Sequence, residues 1–221
     1  MSRTALITGA GRGIGKACSQ KFADYGYSVI IPSRNEMDLN SRESIINYIS
    51  SLDCDIDVLV NNAGINPLAN IGSIDFDSAG ELMNVNFWAP VFLTELLAPR
   101  MKNRGYGRIV NISSIWSGVT KAGRSMYASS KAAINAFTRN AAVEFGPYNV
   151  LVNAVAPGYI NTELTKQNNT PEQIENIKKN LPVNRLAEPE EIAELIFFLA
   201  SEKNTFVTGQ TIFADGGYSL L

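Results

Sequence analysis

Short apolar runs rich in β-branched residues alternate along the chain with longer stretches whose apolar positions recur at helical spacing. The short runs predict strands at residues 4–8, 28–32, 57–61, 108–112, 150–154 and 211–213. The longer ones predict helices at 13–25, 41–51, 76–100, 125–145 and 188–200. Strands that alternate with helices in this way build a parallel sheet covered on both faces, a doubly wound α/β architecture. No repeat, low-complexity tract or linker breaks the pattern, so the expectation is one domain over residues 1–221. Residues 158–185 are polar, contain Pro171 and Pro182, and read as a long functional loop with a short helix, placed to close over a substrate.

Composition narrows the chemistry. With 19 basic and 21 acidic side chains the net charge is −2, which draws the surface neither to nucleic acid nor to anionic lipid. The chain has no histidine, which excludes Ser-His and Cys-His nucleophilic pairs, histidine bases and histidine metal sites. Cys18 and Cys54 have no ligand spacing and no framework, so no metal is expected and a reducing compartment fits. The apolar run after Arg3 is too brief for a signal segment, and that at 195–200 is too short to span a bilayer, so a cytoplasmic protein without a membrane partner is expected.

The first predicted strand ends in Thr8-Gly9-Ala10-Gly11-Arg12-Gly13-Ile14-Gly15, and a helix follows at once. Glycines let a backbone turn tightly against a pyrophosphate, while the free N–H groups and positive end of the helix attract its charge. Strand, glycine turn and helix in succession are the context that a Rossmann-type dinucleotide site requires.

Further motifs follow in order. Asn61-Asn62-Ala63-Gly64 ends a later strand, Ser113-Ser114 ends another, and Tyr127 is followed by Lys131 four residues on. Together with Asn86, Pro157-Gly158, Thr162 and Asp215-Gly216-Gly217, these resemble the short-chain dehydrogenase/reductases over nearly the whole chain, particularly the 3-oxoacyl-acyl-carrier-protein reductases.

On a helix, positions i and i+4 share a face, so the Lys131 ammonium is expected beside the Tyr127 phenol. A nearby cation stabilises phenolate and would draw the phenol from about 10 toward neutrality, where a proton donor works best. Ser114 stands at a strand end where open α/β sheets place ligands. The resemblance implies that Ser114 holds a carbonyl oxygen, Tyr127 protonates it, and Lys131 also binds the nicotinamide ribose. It implies too that Asn86 anchors a water leading toward the lysine. Hydride would pass between the nicotinamide and the carbonyl carbon. The expected cofactor contacts run through Gly9, Gly11, Arg12, Gly13, Ile14 and Gly15, then Ser33, Arg34, Asp38 and Leu39. They continue through Asn61, Ala63 and Gly64, then Tyr127 and Lys131, and end with Pro157, Gly158, Ile160 and Thr162.

NAD-selective folds put an acid near the end of the second strand to hold the ribose 2′-hydroxyl. Here the stretch is Ile31-Pro32-Ser33-Arg34, without a carboxylate, and Arg34 with Arg12 suits a 2′-phosphate. NADP is therefore expected over NAD.

In one place the chain departs from the family it resembles. Relatives carry a helix and a third strand before the adenine-contacting acid, whereas only Asn35, Glu36 and Met37 separate Arg34 from Asp38 here. A parallel crossover needs about a dozen residues, so the unit is absent. Removing helix and strand together preserves every remaining direction. The prediction is six strands, the second at an outer edge with Pro32 tolerated there, and the next helix starting near Asn40 or Ser41 with Glu43 as its capping partner.

Tyr159, Trp116, Ile65, Leu164 and Met126 are candidates for an apolar substrate lining, and Arg104, Arg124 and Lys121 for contacts to an acyl-thioester carrier. Three readings stay open: an NADPH-dependent carbonyl reductase of 3-oxoacyl type, a dehydrogenase of a sugar or other hydroxylated metabolite, and a nucleotide-binding module without turnover. The resemblance also implies a homodimer or homotetramer built on helices 76–100 and 125–145.

Overall fold

The computed structural model describes residues 2–221. Six parallel strands form one sheet: β1 (Thr4–Ile7), β2 (Ser28–Ile30), β3 (Val58–Asn61), β4 (Gly107–Ile112), β5 (Val150–Pro157) and β6 (Thr211–Ala214), in the order β2-β1-β3-β4-β5-β6. The helices are α1 (Gly13–Asp24), α2 (Arg42–Ser50), α3 (Phe76–Met83), α4 (Ala89–Arg104), α5 (Ser125–Phe145), α6 (Glu163–Gln167), α7 (Pro171–Asn180) and α8 (Pro189–Ala200). Among the described residues, no helix is long and apolar enough to cross a membrane.

Strand alternation divides the core. Ala5 and Ile7 of β1, Val58 and Val60 of β3 and Val110 of β4 face α1 and α8, where they meet Cys18, Phe22, Ile192 and Ile196. Their neighbours Leu6, Leu59, Ile109 and Val152 face Ile45 and Ile49 of α2, Leu93 and Leu97 of α4, and Ala141 of α5. Because successive side chains point to opposite faces, a run apolar at every position must be covered on both, as the sequence pattern required.

The shortened connection is as expected. β2 is the outer strand, pairing only with β1 through Thr4↔Ser28 and Leu6↔Ile30. Met37 plugs the gap left beneath it, fully buried among Leu6, Ile45 and Ile49. A tight turn brings it there, with Met37 N donating to Ser33 O at 3.0 Å and Ser33 N to Glu36 Oε2 at 2.8 Å.

Four expectations need correction. β2 stops at Ile30, so Pro32 follows the edge strand rather than lying in it. The cap of α2 is Ser41, whose hydroxyl accepts from Ser44 N at 3.2 Å; Glu43 is one position too early to reciprocate, and Ser44 Oγ instead accepts from Asp38 N at 2.9 Å. The single helix expected over 76–100 is α3, a π-helical turn at Asn84–Trp88, and α4. The polar segment after β5 holds two helices, α6 and α7, because Thr162 and Thr170 each cap a short run, the second with a reciprocal Gln173.

Candidate active site

The site lies where the order of strands reverses. The chain leaves β1 toward β2 on one side and β3 on the other, and the diverging loops leave a crevice at the carboxyl ends, the position that open α/β sheets use for ligands. A cavity of about 490 Å³ occupies it.

The glycine turn forms one wall. Gly9 has φ +66°, and a Cβ there would stand 2.8 Å from Ala63 Cα, so only glycine fits between the ends of β1 and β3. Two polar side chains tie these ends together. Thr8 Oγ1 accepts from Asn62 N at 3.0 Å and Ala63 N at 3.1 Å, and Asn62 Nδ2 donates to Thr8 O at 2.9 Å and Gly9 O at 3.0 Å. Neither residue was among the site candidates, although both stood inside the quoted motifs. Side chains that hold backbone against backbone leave no periodic signal in sequence.

The expected residues separate into two groups. Gly9, Arg12, Gly13 and Ile14 line the cavity at the turn, and Arg34, Asp38 and Leu39 line its far end with Met37 and Glu81. Ala63, Gly64, Ser114, Tyr127 and Lys131 line its centre, and Pro157, Gly158, Ile160 and Thr162 close the other side.

Gly11, Gly15, Ser33, Asn61 and Asn86 do not line it. Gly11 is exposed, and Gly15 is packed so closely under Asn62 that a Cβ would stand 2.4 Å from its Nδ2. The Ser33 amide is taken by Glu36. Asn61 is buried and turned into the sheet, donating from Nδ2 to Asn111 Oδ1 at 2.8 Å. Asn111 Nδ2 in turn donates to Thr138 Oγ1 at 2.9 Å. The Asn61 side chain is thus part of a buried ladder, because its register opposite Asn111 puts both amides on the face covered by α5.

Asn86 sits just behind the wall. The π-helical turn directs its amide onto the peptide of Ile65, accepting from Ile65 N and donating to Ile65 O at 2.9 Å each, with Ser130 Oγ at 3.3 Å. Such turns recur at functional sites. A Cβ on Gly64 would stand 3.3 Å from Asn86 Oδ1 and 3.6 Å from Lys131 Nζ, so Gly64 keeps open the passage between asparagine and lysine.

Tyr127 and Lys131 lie one turn apart on α5, as spacing required, but the electrostatics differ from expectation. Lys131 is buried, its Nζ donating to Ile112 O at 2.7 Å and lying 5.6 Å from the centre of the Tyr127 ring. Desolvation lowers the amine to about 8. The Tyr127 phenol is not drawn toward neutrality: burial pushes it up, against a hydrogen bond with Ser114 and the charge of Arg124, which pull it down. With the amine anchored on Ile112, no pull from Lys131 offsets the desolvation of the phenol.

Of the lining candidates, Ile65 and Leu164 face the cavity. Trp116 and Tyr159 form an adjoining cluster with Leu181 and Leu186, against which Tyr127 and Ile174 and Ile177 of α7 pack. Met126 lines neither. Arg104 is spent on Asp55 at 2.8 Å and Asp57 at 3.3 Å, remote from the site, and Lys121 is exposed.

Comparison with known proteins agrees with this geometry. A family model described as enoyl-(acyl carrier protein) reductase matches residues 36–219, and one described as short chain dehydrogenase matches residues 3–51. An acetoacetyl-CoA reductase of Shinella zoogloeoides is 38% identical over 239 aligned positions, covering 98% of each chain. That alignment is longer than the 221 residues present, so gaps fall in this chain, in keeping with a lost helix and strand. A gluconate 5-dehydrogenase from Burkholderia cenocepacia, solved in complex with NADP and tartrate, superposes with a TM-score of 0.92 at 31% identity, over 100% of this chain and 97% of that one. A 4-hydroxyisoleucine dehydrogenase complexed with NADH gives 0.94 at 30% identity over 100% of both.

Proposed function

The chain belongs to the short-chain dehydrogenase/reductase family, and from that premise we propose that it interconverts a ketone and a secondary alcohol with NADP(H), in the manner of a 3-oxoacyl reductase. The observation that carries the reading is the meeting of Ser114, Tyr127 and Lys131 in the same cavity as the glycine turn.

The residues present fit a dinucleotide. The turn from Gly9 to Ile14 leads into the N-terminus of α1 and suits a pyrophosphate, and the space that Gly64 keeps clear beside Lys131 suits a ribose. When bound, the nicotinamide would supply or accept the hydride. Arg34 and Arg12, both lining the cavity, support NADP over NAD.

The protein's own part is proton handling and orientation. Ser114 and the Tyr127 hydroxyl converge on the position of a carbonyl oxygen; Ser114 donates a hydrogen bond, and Tyr127 delivers the proton. A phenol held above its usual value stays protonated at neutral pH and is ready as an acid. Lys131, fixed by Ile112 and open toward Gly64 and Asn86, is the route by which the proton is replaced. The alkoxide charge that develops on the carbonyl oxygen therefore meets two donors and a nearby cation.

NADPH oxidation measured with a panel of 3-oxoacyl thioesters, keto sugars and simple ketones tests the reading. Turnover that disappears in Tyr127→Phe supports it; full activity in that variant overturns the mechanism. The intact catalytic set argues against a module without turnover. The single-domain reading, a cytoplasmic location and self-association belong to the same proposal. For the last, exposed Val143 on α5 and the Trp88–Phe92 stack at the start of α4 supply apolar surface, and light scattering reads the outcome as dimer, tetramer or monomer.

A further inference from the structure

Two arginines among the described residues are almost fully buried, and only one of them donates side-chain hydrogen bonds. Arg108 donates to the carbonyls of Gly107 at 2.8 Å, Asn149 at 2.9 Å and Asn204 at 3.0 Å, a structural role that ties β4 to the neighbouring loops and leaves only Nε without a partner. Arg124 is 6% exposed, yet among the described residues no carboxylate lies within 4 Å of it and no side-chain hydrogen bond engages its guanidinium. Its one close companion is Trp116, whose ring centre lies 4.6 Å from the guanidinium carbon. None of its nitrogens is sealed from solvent, so the part of this nearly buried side chain that stays accessible is its donor edge, without a partner of its own.

Its position supplies an explanation. Arg124 caps α5 one turn before Tyr127, and Trp116 follows Ser114 by two residues, its amide donating to Ser114 Oγ at 3.3 Å. The arginine and its aromatic platform thus stand beside both groups that face the reacting oxygen. The remaining neighbours are apolar or aromatic: Trp116 packs with Tyr159, Leu181 and Leu186, and Tyr159 meets Tyr218 edge to face at a 5.3 Å centroid distance. Stacking fixes the plane of the guanidinium, leaving its edge as a fork matched to two carboxylate oxygens.

Resting on the oxidoreductase reading above, we propose that Arg124 is the substrate-recognition residue of this site and that the physiological ketone or alcohol carries a carboxylate a few atoms from the reacting carbon. A free oxo acid or hydroxy acid fits this requirement. A carrier-bound thioester, with a neutral acyl carbonyl and a phosphate a long pantetheine arm away, does not, so the likeness to a 3-oxoacyl reductase stands here for the reaction and not for the carrier.

The test pairs acetoacetate with methyl acetoacetate and 4-oxopentanoate with its methyl ester, each reduced with NADPH by the wild type, Arg124→Gln and Arg124→Lys. The proposal expects kcat/KM to favour the acids in the wild type. It expects Arg124→Gln to raise KM for the acids about tenfold or more beyond any change for the esters, as the loss of a charge-assisted hydrogen bond implies. Arg124→Lys should recover part of that difference. Equal losses for acid and ester, or a wild-type preference for the esters, overturn the proposal.

A binding measurement separates it from the catalytic reading. In a Trp88→Phe background Trp116 is the only tryptophan, so its fluorescence reports acetoacetate binding to the NADP-loaded protein. A saturable change absent in Arg124→Gln supports the proposal even if no ketone is turned over, in which case only the catalytic reading fails. Turnover of ketones with no Arg124-dependent change overturns this proposal alone.

Discussion

Lys131 Nζ and the carbonyl oxygen of Ile112 lie 2.7 Å apart, and this bond holds the amine beside Gly64, where an added Cβ would stand 3.6 Å from it. The same burial that makes the bond strong makes the charge expensive and lowers the amine to about 8. Lys131 is thus charged below about pH 8 and neutral above it, while the phenol, pushed up by its own burial, keeps its proton through that range. If the charge serves binding and proton return, kcat/KM for NADPH, which reports the free enzyme, declines as pH rises through about 8. Lys131→Arg, permanently charged, should move the decline to higher pH. A flat wild-type profile to well above that value contradicts the role.

Removing the acid should separate chemistry from binding. Tyr127→Phe takes away the proton donor while keeping the ring that packs on the Trp116 cluster, so kcat should fall by about 10²–10⁴ with NADPH affinity retained. Ser114→Ala removes one donor to the developing charge and should cost about 10²–10³ in kcat. It also releases the amide of Trp116, so fluorescence of the folded variant is the control. Equal loss of NADPH binding in both variants would point to a collapsed site.

Much of this architecture was legible because it rests on backbone rules. Burial of β1, β3, β4 and β5 on both faces goes with mainly apolar runs, and the missing unit followed from counting three residues where a crossover needs about a dozen. The catalytic set was legible because its motif is fixed by i, i+4 geometry and strand-end placement. What the sequence did not reveal depends on where side chains turn. Asn61 reads like any strand-terminal asparagine until the register Asn61↔Asn111 places two amides together. The lysine's effect on the phenol could not be read from spacing, since spacing sets proximity but not the direction of the ammonium. Glu81 carries no motif at all; only the packing of α3 over the shortened connection brings it to the cavity.

That glutamate bears on cofactor choice. Arg34 is largely exposed and shared between Glu81 at 3.3 Å and Asp38 at 4.0 Å, so a 2′-phosphate must compete with two carboxylates for it. Glu81→Gln removes one competitor and a like charge, and should lower KM for NADPH severalfold while changing KM for NADH less. Arg34→Ala should do the reverse, narrowing any preference for NADPH. Initial rates with both cofactors decide the matter: a Glu81→Gln variant with unchanged KM for NADPH would show that the phosphate does not approach this pair.

The buried ladder behind the site makes the last prediction, one of stability against function. Asn61 Nδ2 donates to Asn111 Oδ1, Asn111 Nδ2 to Thr138 Oγ1, and Thr138 Oγ1 to the Ile134 carbonyl, all with negligible solvent exposure. The first two links join β3 to β4 and β4 to α5, so the ladder fixes the strand ends before Gly64 and Ser114 against the helix that carries Tyr127. Asn111→Ala strands a donor on one side and an acceptor on the other, at about 1–3 kcal/mol for each buried group left unpaired. At this chain length a kcal/mol shifts the midpoint by about 2–4 °C, so Tm should fall by roughly 5–15 °C in calorimetry. Asn61→Ala loses the same first link and leaves the Asn111 acceptor unpaired, so it too should lower Tm. Its KM for NADPH at a temperature well below that midpoint should stay within about twofold of wild type, because the side chain does not reach the cavity. A large rise in that KM with no change in Tm would return Asn61 to the list of cofactor contacts.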